Sequence, residues 1–272
     1  MIHVSTADLD RHARTLGVNL TYPAEVTRLT AAAEHARTYE PPHAEPLGRI
    51  LIDTEPSKWT AAIKAYAALD SQPSTRTIRE SVLRFAEPDI TNALRNNADE
   101  IIAQVHQSAA DAANIVIDAA TAGITDLTDY EYAARMGIAP KLIDAQHAIK
   151  KLNAFTNLLT DLTIANSHGA EWLDIGTLIE LPDNLAPRPV AVAHTTFADL
   201  RYSVGTAVSQ ASPEAEQAWN HNRELKHLSR DSRILTVATG RFEGFQLKPA
   251  ATIAEAHARA DKAAEAQRDQ VQ

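Results

Sequence analysis

Residues 89–122 constrain this chain more than any other stretch, because their pattern admits one long helix and little else. Leu94, Ala98, Ile101, Val105, Ser108, Ala112, Ile115 and Ala119 recur at alternating steps of four and three, which lines them along one seam facing a partner helix. At 1.5 Å per residue the predicted rod is roughly 50 Å long. A rod of that length suits scaffold or interface better than a catalytic pocket.

A second rod follows closely. Pro140 opens a helix predicted to run to about Asn166, with Leu142, Ala145, Ile149, Leu152, Thr156 and Leu159 in a heptad-like stripe. Between the rods, Gly123 is a left-handed stop, Thr128 and Glu131 form a capping box, and Gly137 ends the short helix they start. So short a connection folds the second rod back antiparallel on the first. The expected fold is therefore mainly α, built on a long antiparallel helical hairpin over 89–168. Its packing and interface positions are Leu94, Ile101, Val105, Ile115, Ile149, Leu152 and Leu159.

The flanks divide differently. Region 1–88 reads as short helices punctuated by proline: one from Ser5 to Gly17, one from Pro23 to Thr38, one after Ser57 carrying Trp59, Ile63, Tyr66 and Leu69, and one over 75–86 stopping before Pro88. Residues 48–53 are predicted as a short strand. A smaller α+β region spans 169–249, with β-favouring stretches at 175–181 and 189–197 and two strands in 233–247 turning at Gly240-Arg241. Within it, Ser212-Pro213 starts a helix through Leu228 by the cap and first-turn proline rule. The tail 250–272, boxed by Thr252 and Glu255, is Ala-rich and charged. Lacking large apolar residues after Ile253, it is expected to fray or to dock on another subunit.

Composition removes several classes of function. A formal charge of −9 over 272 residues disfavours a nucleic-acid binder, whose affinity comes from Lys and Arg displacing counterions. The absence of Cys excludes disulfides, thiolate nucleophiles and Cys-ligated zinc. Apolar residues make up 44%, enough for a sizeable core, but aromatics only 5%, which argues for close helix packing around small side chains rather than a sugar- or base-stacking surface. No signal peptide or membrane-spanning run is read, so the expected location is cytoplasmic or within a virion. Eighteen arginines against eight lysines, with the Ala richness, point to a GC-rich bacterial or phage genome.

Motifs for chemistry are sparse. The nine glycines give neither GxGxxG nor GxxxxGK, and neither GxSxG nor HExxH occurs, so no cofactor is expected. The best metal candidates are Glu224-x-x-His227 and Asp144-x-x-His147, since an acid and a His three apart on a helix point the same way, as in di-iron helical bundles. That arrangement needs two Glu-x-x-His motifs and two further Glu, and here one motif has Asp. His221 and His227 read as surface residues, and His194 as a core His. Tyr66-x-x-x-Asp70 has the spacing of the tail signal of type VII secretion substrates, but Trp59 is followed by Thr60-Ala61 where those proteins carry Trp-x-Gly, so the resemblance is set aside. Arg76, Arg79 and Arg84, and Arg223, Lys226, Arg230 and Arg233, read as solvated helix faces paired with nearby acids.

These readings favour a non-catalytic structural or assembly protein whose long helices make contacts with other subunits, as a homo-oligomer or in a larger assembly. The expected setting is a phage or prophage virion, as a minor capsid, connector or similar component. The alternatives are a metal-dependent helical-bundle enzyme using Glu224 and His227, and a secreted or regulatory helical interaction protein.

Overall fold

A computed structural model describes residues 4–40, 47–70, 75–163, 170–185 and 212–267. Among these the chain is mainly helical, with twelve α-helices and one pair of two-residue strands. Two compact units divide it, one from Met1–Thr6 with Tyr22–Asn96 and the other from Ala7–Thr21 with Asn97–Gln272. The helix α1 (Thr6–Thr15) starts at the edge of the first and lies almost wholly in the second.

The first unit contains α2 (Ala24–Thr38), α3 (Leu47–Ile52), α4 (Trp59–Asp70, entered through a 3-10 turn at Pro56–Lys58) and α5 (Thr75–Asn96). Its core is the packing of α2 on α5, with Val26, Ala33 and Ala36 buried on one helix and Ala86, Ile90, Ala93 and Leu94 on the other. Arg37 ties the two helices from both directions: its guanidinium donates to Glu87 at 3.3 Å, and its carbonyl accepts from Arg79 at 2.7 Å.

Two expectations fail in this unit. Residues 48–52 are helical, since so short a stretch does not declare its period and here α3 docks on α4 rather than pairing as a strand. Pro88 does not end its helix either. α5 runs through it, and Ile90, Thr91, Ala93 and Leu94 beyond the proline stay buried, so packing outweighs the one backbone hydrogen bond that proline removes.

The second unit is built on α6 (Ala98–Thr121) and α8 (Ala139–Leu162), which pack together more extensively than any other described pair, with α7 (Tyr130–Arg135) between them in the chain. The single helix expected over 89–122 is broken at Asn97, whose φ of −110° and ψ of 20° leave the helical region. Two asparagines in a row, poor helix formers that compete for backbone hydrogen bonds, mark that break. The domain boundary expected at 88/89 accordingly falls inside α5, and the described units part at Asn96/Asn97. Left-handed Gly123 and Gly137 stop α6 and α7 as expected (φ 98° and 71°), but the N-cap of α7 is Asp129, which accepts from the Tyr132 amide at 2.8 Å, not Thr128.

The remaining elements are α9 (Ala170–Leu178), β1 (Ile179–Glu180), α10 (Pro213–His227), α11 (Arg230–Ala238), β2 (Gln246–Leu247) and α12 (Ile253–Glu265). Strands β1 and β2 pair antiparallel, Ile179 opposite Leu247 and Glu180 opposite Gln246, and the Lys248 and Ala250 amides go on to satisfy the last carbonyls of α9 at Leu178 and Thr177.

Of the strands expected in 169–249, the described residues hold this two-residue pair, and helix takes more of the region than expected. Residues 175–178 belong to α9, and 233–238 of the stretch read as two strands belong to α11, started by Ser229, whose hydroxyl accepts from the Ser232 amide, and followed by left-handed Gly240. Stretch 189–197 lies outside the described residues. The tail is corrected as well: α12 docks on α9 of its own chain, burying Ala256, Ala260, Ala263 and Ala264.

Candidate interaction surface

The candidate contact positions sort by burial. Ile101, Val105, Ile149, Leu152 and Leu159 lie in the core of the second unit, whereas Leu94 is buried in the first. Ile115 is 40% exposed, and Val116 takes the seam position next to it. The cause is helical pitch. A repeat of four and three averages 3.5 residues, but an α-helix turns every 3.6, so a strict heptad drifts by about 20° per repeat. The buried line of α6, through Ala98, Ile102, Val105, Ala109, Ala113, Val116 and Ala120, keeps the true pitch.

At about 100° per residue, Glu100, Asp111 and Asp118 fall opposite that buried line, and all three are exposed. Among the described residues none of them forms an ion pair, and α6 contains neither Lys nor Arg. On α8 the exposed line carries Ile143, 46% exposed, with His147 and Lys150, and Lys151 half-buried beside it. The first unit exposes larger apolar groups still. Ile52 on α3 and Phe85 on α5 are 84% and 68% exposed, and on α4 both Trp59 and Ile63 are open. No side chain described between Trp59 and Ala67 is buried.

Of the metal candidates, Glu224 is tied into an ion pair and the other three stand exposed. Glu224 accepts from Arg241 at 2.8 Å while His227 is exposed, and Asp144 and His147 stand on the outer side of α8. Among the described residues no three His, Asp or Glu side chains gather as a metal site. His221 is not a surface residue: it is half-buried and stacks on Phe242, ring centroids 4.6 Å apart. His194 lies outside the described residues. A recess of about 270 Å³ opens beside Gly123, Asp126, Asp129, Tyr132 and Leu142. Its carboxylates are engaged in turn-building, and the Thr128 amide and hydroxyl hold Asp126 below the usual carboxylate range.

The arginine clusters are likewise tied to their surroundings. Arg76 pairs with Glu80 at 2.6 Å and Arg79 caps the Arg37 carbonyl, while Arg84 is exposed. Arg223 donates to Asn220, Lys226 lies over the Trp172 ring, and Arg230 grips Asp174 with both forks while reaching Asn157. Arg233 departs furthest from a solvated face. It is buried, and donates to the Leu225 and Leu228 carbonyls at the end of α10.

No described helix is long and apolar enough to cross a membrane. No protein family, curated protein or solved structure matches this chain. The exposed helical surfaces are thus the features from which a role is argued. Sequence reading missed the bare face of α4, although a run of Trp, Ile, Tyr and Ala broken by one Lys (Lys64) was legible as apolar all round.

Proposed function

We propose that this chain is a non-catalytic structural or assembly protein, and that it serves as a phage or prophage virion component of the minor capsid or connector kind. The reading rests most on the first unit, where α4 has no buried side chain among those described and Ile52, Trp59, Ile63 and Phe85 lie open. A short helix gains most of its stability from tertiary packing of an apolar face, so a face of this kind calls for a neighbour. In the second unit, α6 and α8 are read as the antiparallel hairpin that carries the chain's contacts. Ala119 near the end of α6 shares one apolar cluster with Leu142 and Ala145 near the start of α8, which supports that direction.

The partners proposed are other protein subunits, in a cytoplasmic or virion setting, with neither membrane nor nucleic acid as the target. The test is the protein content of density-purified particles from cells in which the prophage carrying this gene has been induced. Recovery of the chain at a fixed ratio to the major capsid protein is expected. Its absence from particles, or stoichiometric iron, manganese or zinc in the purified protein, would overturn the reading in favour of a free or metal-dependent role.

A further inference from the structure

The second unit carries two exposed helical lines of opposite charge. On α6, Asp111, which accepts from Gln107 at 2.8 Å, and Asp118 make no ion pair among the described residues, with Ile115 at the edge of their line. On α8, Lys150 and Lys151 make no ion pair among the described residues, and Ile143 and His147 share their side of the helix, with Asp144 the one acid at its margin. Each line lies opposite the side its helix buries. Because α6 and α8 bury those sides largely against each other, the acidic and basic lines face away from one another.

We infer that the occupant of these surfaces is a second copy of this chain, with the acidic line of α6 on one copy seated against the basic line of α8 on the next, and Ile115 and Ile143 drawn into the contact. Charge complementarity selects this partner. A copy carries both halves of the match, whereas like faces would set Asp111 and Asp118 against their own equivalents. Single exposed ion pairs are weak, so the charges set register and exclude the wrong faces while the two isoleucines and the helix packing hold the contact. Donor and acceptor faces are different, so the interface is head-to-tail, and its repetition closes a ring or extends a filament.

The inference rests on the assembly reading above, and the test separates them. Light scattering on the full chain is expected to show concentration-dependent species above 29.6 kDa at protein up to about 100 µM. Lys150→Glu with Lys151→Glu in one chain, and Asp111→Lys with Asp118→Lys in another, should each weaken self-association by at least about tenfold. An equimolar mixture of the two should assemble again, since each supplies the face the other has reversed. Circular dichroism and the melting temperature of each variant confirm that it folds. Assembly of the wild type that ignores both reversals, or a mixture that stays monomeric, overturns this surface and leaves the assembly reading standing. A wild type monomeric throughout overturns the surface too, and the assembly reading falls with it where the chain is also absent from purified particles.

Discussion

Gly176 in α9 lies against Ala256 in α12 so closely that a β-carbon on the glycine would stand 2.1 Å from the Ala256 carbonyl oxygen and 2.7 Å from the Ala260 amide nitrogen. Both obstructing atoms are backbone, so no side-chain rotation relieves them. Gly176→Ala should force the helices apart and cost about 1–3 kcal/mol, despite the better helix propensity of alanine. Thermal or urea unfolding checks this, and a variant as stable as wild type would show that α12 does not rest on α9.

Leu152 and Ile115 were equivalent in the heptad reading and are opposites in the structure, one fully buried and the other 40% exposed. Leu152→Ala should cost about 2–5 kcal/mol through the cavity it leaves. Ile115→Ala should change the monomer's stability by less than about 0.5 kcal/mol. Paired unfolding curves decide between a 3.6-residue seam, which predicts this contrast, and a 3.5-residue seam, which predicts two similar losses.

How much was legible follows from which forces act locally. Caps such as Ser212, whose hydroxyl accepts from Ala215, and Thr252 with Glu255 were readable because their bonds close within four residues. The glycine stops at Gly123 and Gly137 were readable for the same reason. The two long helices stood out because periodicity accumulates over many turns. What failed were short apolar stretches decided by distant packing. Residues 233–238 became helix against α6 and α8, and 48–52 became helix against α4. The tail was misjudged because alanines looked too small to bury anything, yet Gly176 lets α12 approach until they do. As for the candidate site, its charges were countable in the sequence, but the exposure of Ile115 was not, since it depends on the drift between heptad and helix.

Arg233 has left solvent to finish another helix. Its guanidinium donates to the Leu225 carbonyl, which also accepts from the Leu228 amide at 3.3 Å, and to the Leu228 carbonyl at the end of α10. Arg233→Ala should cost about 2–3 kcal/mol, because buried carbonyls lose charge-assisted donors and the arginine stem leaves a void. Arg233→Lys should recover only part, since an ammonium lacks the planar fork. Chemical denaturation of both variants tests the order, and equal stability of Arg233→Ala and wild type would return the residue to a solvated face.

Glu255 and Asp161 pull the pH dependence of stability in opposite directions. Burial resists ionisation of Glu255, but the Ala251 amide, Arg259 and Lys248 outweigh it and hold the carboxyl below its ordinary value. A depressed folded-state pKa means that the stabilisation is complete above the unfolded value, about 4.3, and is lost as pH falls through the folded one. Asp161 is pushed up, first by burial and then by Asp8, against the pull of His12 at 3.4 Å. A raised carboxyl binds its proton more tightly when folded, so its contribution favours the fold below its unfolded value, about 3.9, and is lost as pH rises through the folded one. Glu255→Gln should therefore lower the melting temperature at pH 7, with the gap to wild type closing below about pH 4. Asp161→Asn should leave it equal or higher at pH 7, with that difference also vanishing in acid. Melting curves between about pH 3 and pH 7 test both signs, and a Glu255→Gln deficit that persists undiminished at the acid end would mean that the carboxylate's charge is not what fastens α12 to the segment from Lys248 to Ala251 before it.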